Sequence, residues 1–410
     1  MQQRRNSLPR RRGGLLGALG TGVITGAADD DPSAIGTYAS AGARFGLGFL
    51  WIAPVLLPMM YAVVYLSAKL GQVYRKGLFA AIRDHYPRWV LFPLLAMAIL
   101  GNIIEAAADL GGIGAGLNIL IPIPIPVIVT GVAVAIVVFQ YFGSYQLLRS
   151  IFQWLALALF AYVIAAILAQ PNPMDVLKGT VIPRFEPTGE FLSILVACLG
   201  TSLSAYIFTW QSNQEVEERR PLHEARRDVL LGMTFSNLIL YFIILTTGAT
   251  LHEAGQTQIE TAAQAAEALA PLAGPAAGIL FAIGMVGVGV LAVPVMTTGA
   301  AYDLVQGFGE PGSLHARPAE TKLFYATIAV VTAVAVALNF LGLNPMRALL
   351  WSGIVQGFSV PPLLLLIMLM TNSRRMMGAE KNGRLINILG WSTTGVTFLA
   401  TGWLVMTWIR

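Results

Sequence analysis

Three consecutive carboxylates are the residues best placed to do chemistry. They are Asp29, Asp30 and Asp31, inside Gly26-Ala27-Ala28-Asp29-Asp30-Asp31-Pro32-Ser33-Ala34-Ile35-Gly36. This stretch interrupts the first long apolar run of the chain. A carboxylate at membrane depth costs about 3 kcal/mol on insertion scales unless it meets water, a cation or protein. Pro32 removes a backbone donor and disfavours helix at Asp31, and the flanking glycines ease unwinding. The pattern predicts a transmembrane helix broken in mid-membrane, with freed carbonyls and carboxylates facing a polar cavity. Such broken helices form the ion and substrate sites of many secondary transporters. The bland alternative is that Asp29 and Asp30 end a short helix at a membrane surface. An apolar helical segment resumes directly after Ile35, which favours the break.

Two further stretches bear on the same chemistry. Gly200-Thr201-Ser202-Leu203-Ser204-Ala205-Tyr206 puts a glycine and three hydroxyls inside another apolar run. Taken alone, such hydroxyls usually bond back to their own helix. Five spans separate this stretch from the first, however, and paired breaks in corresponding positions of two halves point to an inverted-repeat transporter. Glu105 and Asp109 lie four residues apart, hence on one helical face. Acids inside a membrane are candidates for an ion path or a proton relay, with Asp30 a third. The structural alternative is that each bonds to a neighbouring helix.

The elements that must position these residues follow from composition. The chain has 410 residues, is 56% hydrophobic and only 11% charged, against about 25% charged for soluble domains. So little charge cannot cover so apolar a core, and an integral membrane protein is expected. Spans need about 20 apolar residues each. Eleven are predicted: Leu15–Ser40 (broken), Leu47–Lys69, Val90–Ala115, Pro126–Phe142, Phe152–Ala169, Leu192–Gln211, Val229–Leu251, Ala273–Ala301, Leu323–Leu341, Ala348–Met370 and Leu385–Ile409. No connection is long enough for a soluble domain. Pro122, Pro124 and Pro126 predict a stiff link between spans three and four, and Glu260–Ala270 reads as a short surface helix.

The pI near 9.4 does not imply nucleic acid. Lysine and arginine concentrate in alternate connections: Arg4–Arg12, Arg75–Arg88, Arg149, Arg219–Arg227, Arg317 to Lys322 and Arg374–Arg384. The excess of positive charge on one side places the amino terminus in the cytoplasm of a multi-pass protein of the cell membrane. Residues 1–12 form a basic tail without a cleavage site behind it, so no cleavable leader is expected. The single cysteine, Cys198, excludes an intrachain disulfide and a cysteine metal cluster. All four histidines fall in connecting segments, so none serves a span as ligand or relay. Glu215, Glu217 and Glu218 beside Arg219 and Arg220 read as a solvated face.

These residues also carry a resemblance. Asp31-Pro32-Ser33-Ala34 resembles the Asp-Pro-Gly-Asn motif of the first span in NRAMP-type divalent-metal transporters. Gly200 to Ser212 is similar to that family's sixth-span pattern, a Gly-Ala start followed by Met-Pro-His. Asp109 with Leu117-Asn118-Ile119-Leu120 is similar to its third span. The resemblance implies an all-α integral membrane protein with a LeuT-type fold, two inverted five-helix repeats plus an eleventh transmembrane helix. The repeats would cover residues 13–170 and 171–371, with a cytoplasmic loop and the last span in 372–410. It further implies a transporter rather than an enzyme, with a divalent cation as substrate and no cofactor. The partners expected are that ion and the lipid bilayer, with no nucleic acid, and a monomer is compatible with the reading.

The departures from the family pattern sharpen the chemistry. Ala34 stands where the family has asparagine, and Ser204 where it has the thioether ligand methionine. Ala205 and Tyr206 replace its proline and histidine. The tenth-span glutamine matches Gly353, with Gln356 about one turn away. The Asp-Asp-Asp-Pro-Ser run and the Trp210 to Glu218 ending resemble the divergent branch that includes magnesium transporters. The candidate metal site is therefore Asp31, Ser33, Ala34, Thr201, Ser204 and Gln356, all oxygen donors apart from the space-making Ala34. A thioether selects transition metals, whereas oxygen-only sites suit magnesium, manganese and calcium. Small residues at 34 and 204 would admit an ion that keeps much of its water, which suits magnesium. Alternatively they simply pack close to a neighbouring helix. The expected function is divalent-cation transport, Mg2+ first and Mn2+ second, by alternating access with weak or no proton coupling. The alternatives are a proton-coupled Mn2+/Fe2+ transporter, a LeuT-type amino-acid transporter with a sodium site, or a cation channel. An acidic first break argues against a carboxylate-bearing substrate. One asymmetric acidic cluster per chain argues against a channel ring.

Overall fold

A computed structural model describes residues 25–26, 28–142, 159–218, 221–314 and 316–409. Every regular element among them is helical. Those named below are α1 (Pro32–Phe45), α2 (Ile52–Tyr74), α3 (Arg88–Asn118), α4 (Ile125–Phe142), α5 (Phe160–Leu168), α6 (Gly189–Ser202), α7 (Ala205–Glu218), α8 (Leu222–Thr247), α9 (Ala277–Phe308), α10 (Lys322–Asn339), α11 (Pro345–Asn372) and α12 (Arg384–Ile409). Among the described residues nine helical segments are long and apolar enough to cross a membrane. The predicted tail at residues 1–12, most of the first span before its break, and the first half of the fifth lie outside the described residues.

The helices sort into two packed groups. α2 lies against α7 and α8, and α8 against α1. α3 lies against α9 and α10, and α4 against α3 and α10. The first group has an internal reciprocity: the helix that follows each break's span packs on the post-break segment of the other, α2 on α7 and α8 on α1. α11 closes the space between the groups, touching α6, α3 and α1, and α12 flanks it. Nearly every residue of α1 is buried, its polar Ser33 and Thr37 included, so the surrounding helices enclose it on all sides. α4 turns most of its surface outward.

The connections match their sequence signals. The proline link after α3 is exposed. The predicted surface helix is Ala262–Glu267, with Thr261 and Gln264 forming a capping box. Its Ala262, Ala265 and Ala266 are buried, so it is packed down and not free on the surface.

Candidate functional site

The first break is built by capping chemistry. Thr25, Gly26, Ala28 and Asp29 are helical, Asp30 bends, and Asp31 is extended with ψ 174°. Asp31 then caps α1: its Oδ1 accepts from the Ala34 N–H at 2.7 Å, with Pro32 at the first helical position. Aspartate before proline is a strong helix start because the side chain satisfies an orphan donor and proline needs none. The other oxygen, Oδ2, lies 2.9 Å from the Tyr206 hydroxyl, which is also 2.8 Å from the Ala28 carbonyl. One phenolic proton thus faces two acceptors, one on each side of the break. Asp29 and Asp30 are fully buried and share one donor, Ser236 on α8, at 2.8 and 3.1 Å. Both are therefore enclosed by protein and not displayed at an exposed helix end.

The second break follows Ser202, at Leu203 and Ser204. The Ser204 hydroxyl reaches the Gly200 and Thr201 carbonyls at 3.0 and 2.9 Å, two acceptors left over by the end of α6. The opening N–H of α7, Ala205, points to Gln356 Oε1 at 3.4 Å. Gln356 therefore belongs to this break, although Gly353 is the position that matches the family's glutamine. Gly353 instead serves a backbone crossing. A Cβ added to Gly200 would fall onto the Gly353 carbonyl oxygen, so α6 and α11 approach this closely only through glycines.

The two third-span acids divide between the two breaks. Asp109 Oδ1 accepts from the Ser33 N–H at 2.9 Å and the Ser33 hydroxyl at 2.6 Å. Ser352 of α11 adds a further hydroxyl to Ser33 at 2.9 Å. Glu105 Oε2 accepts from Gln356 Nε2 at 2.5 Å, and its Oε1 is 3.4 Å from the Ser204 hydroxyl. One face of α3 thus holds break one through Asp109 and break two through Glu105. Asp109 Oδ2 and the Thr201 hydroxyl are buried with no partner among the described residues. Asp31, Ser33, Ala34, Thr201, Ser204, Gln356, Asp30, Glu105 and Asp109 are all at 0% exposure, so the region is buried. No three histidine, cysteine, aspartate or glutamate side chains converge as a metal cage among the described residues. The oxygens on offer are mixed: carboxylates one to a side, hydroxyls, carbonyls and one amide.

Three parts of the site escaped the sequence reading. Tyr206 stood there as a missing histidine, yet it ties the two breaks together. Ser236 and Ser352 were passed over, although each is a lone hydroxyl in an apolar helix. The acidic ending of α7 is a correction. Glu215 is fully buried, accepting from Gln72 at 2.6 Å and Gln211 at 2.9 Å. Glu217 accepts from Tyr302 and Ser313. Neither is a solvated face, because α2 and α9 pack over them. The side chains of Glu218, Arg219 and Arg220 lie outside the described residues.

Paired helix breaks meeting at one buried, oxygen-rich locus, held by two helix groups, are the architecture of the LeuT-type fold. The model of the family described as "Natural resistance-associated macrophage protein-like" matches residues 22–407. The chain belongs to this Nramp family, whose members are transporters and not enzymes and take a divalent metal cation as substrate. It is 30% identical over 402 residues to the divalent metal cation transporter MntH of Klebsiella pneumoniae (strain 342), covering 95% of this chain and 94% of that one. The fold is that of the Eremococcus coleocola manganese transporter solved with an aromatic bis-isothiourea compound. The TM-score is 0.73 at 18% identity, over 98% of this chain and 88% of that one. The nucleobase-cation-symport-1 transporter Mhp1 is also similar, with a TM-score of 0.59 at 12% identity over 95% and 93% of the two chains.

Proposed function

We propose that this chain carries a hard divalent cation, Mg2+ first and Mn2+ second, by alternating access with weak or no proton coupling. The ion would bind between the breaks, anchored by Asp31 and completed by Ser33, Thr201, Ser204, Gln356 and freed carbonyls, with Ala34 leaving room for retained water. Asp30, Glu105 and Asp109 would line its path. The observation that carries this reading is the donor set itself. Every polar group facing the two breaks is an oxygen or an amide, with Ser204 where a thioether would select softer metals. Magnesium is held by few carboxylates and keeps much of its water, which suits carboxylates spaced singly and not caged.

A second reading is proton-coupled carriage of Mn2+ or Fe2+: the manganese transporter of Eremococcus coleocola that shares the fold supports the metal, and the free oxygen of Asp109 supports the proton. Mn2+ uptake into proteoliposomes separates the two. Millimolar Mg2+ should compete, and the lumen should not acidify in proportion to metal entry. Failure of Mg2+ to compete refutes the hard-cation reading, and stoichiometric acidification refutes weak coupling. The same proposal places the protein in the cell membrane with its amino terminus in the cytoplasm. It works there as one chain, with repeats at 13–170 and 171–371 and the last span in 372–410.

A further inference from the structure

Asp303 of α9 is 1% exposed, and it is the one buried carboxylate among the described residues with neither oxygen hydrogen-bonded. Asn102 of α3 is 0% exposed and has neither amide atom hydrogen-bonded among the described residues. Asn102 and Thr209 both lie against Gly299 of α9, one turn before Asp303. A Cβ at Gly299 would sit 3.6 Å from the Thr209 hydroxyl and 3.8 Å from Asn102 Nδ2. Asp303 lies four residues further along the same face of α9. Thr209 is the hydroxyl within reach of its carboxylate, but that hydroxyl donates to the Tyr206 carbonyl at 3.0 Å.

An unpaired buried carboxylate is a heavy liability, and an apolar or amide side chain would pack there at less cost. Its neighbours continue the site already described. Asn102 is one turn from Glu105 on α3, and Gln306, one turn beyond Asp303, meets Asn213 and accepts from Arg83 through its carbonyl at 2.7 Å. The polar lane therefore runs from the second break to the basic end of the bundle.

We propose that Asp303, Asn102 and Thr209 form a second divalent-cation subsite, a station the ion occupies between the two breaks and the Arg83 end. Only the class of ion rests on the proposed function. One carboxylate, one amide oxygen and one hydroxyl suffice for a hard ion that keeps several waters, and the amide can turn its oxygen inward.

The test is Mn2+ binding to the full-length protein in detergent, followed by the paramagnetic resonance of free Mn2+, with thermal melting alongside. Wild type should bind two ions per chain. Asp303→Asn should bind one and melt no lower, since it removes an unpaired charge, and Asn102→Leu should also lose one. If neither variant loses an ion, the subsite is overturned. Asp31→Asn distinguishes the two proposals. Binding lost only there refutes the Asp303 subsite and keeps the central site, whereas binding lost only in Asp303→Asn does the reverse.

Discussion

Replacing Asp31 by asparagine separates the structural role of that residue from its charge. As a cap, Asp31 contributes about 1 kcal/mol through the Ala34 N–H, and its contact with Tyr206 is a charge-assisted bond of about 1.5–3 kcal/mol. Asp31→Ala removes both and is expected to cost about 2.5–4 kcal/mol of stability. Asparagine caps as well as aspartate. Its Oδ1 keeps the Ala34 N–H, and its amide can donate to the Tyr206 hydroxyl, which still has the Ala28 carbonyl for its own proton. Asp31→Asn should therefore melt within about 1 kcal/mol of wild type. The ion, by contrast, loses its anchoring charge in a fully buried site. Removing one partner of a buried charge pair costs about 3–5 kcal/mol, roughly two to four decades of affinity. The assay is Mn2+ uptake into proteoliposomes over a concentration series, with a melting curve on the same preparation. A folded Asp31→Asn protein with wild-type uptake would place the anchor elsewhere, with Asp29, Asp30 or Glu105 next in line.

Ser204→Met, alone or with Ala34→Asn, should raise Cd2+ or Mn2+ affinity and lower Mg2+ uptake, because both changes take volume and the first adds a thioether. Unchanged Cd2+ binding in the folded double variant would mean that neither position faces the ion. Gly200→Ala drives a methyl into the Gly353 carbonyl and should lose about 3 kcal/mol or more through overpacking. A normal melting temperature would show that α6 and α11 separate freely. Ser236→Ala strands both Asp29 and Asp30 without their shared donor, at a cost of about 1–3 kcal/mol for each group. Thermal melting checks it, and a shift too small to measure would mean that other groups replace the serine.

Much of this protein was legible in one dimension because lipid imposes simple rules. Apolar runs of spanning length, broken by Asp31-Pro32 and by the Gly200 to Ser204 hydroxyls, announce the helices and their interruptions, since no solvent at that depth excuses a polar residue or a missing backbone donor. The two acids on one face of α3 follow from local spacing, whereas Gln356 entered through the family resemblance and the capping role of Asp31 appears only in the fold. What the spacing left undecided was pairing. Glu105 and Asp109 look equivalent on α3, and only the packing of α1, α7 and α11 around it assigns one to each break. Tyr206 looked like a loss until the fold brought its hydroxyl to Ala28 and Asp31, 178 and 175 residues away. Glu215 looked solvated because charge beside a basic connection usually is. Gln72 and Gln211, on two different helices, make it a buried acceptor. Asp303 carries no motif at all. A side chain's partners across helices depend on which faces meet, and that is set by close approaches such as Gly200 on Gly353, which no periodicity in the chain encodes.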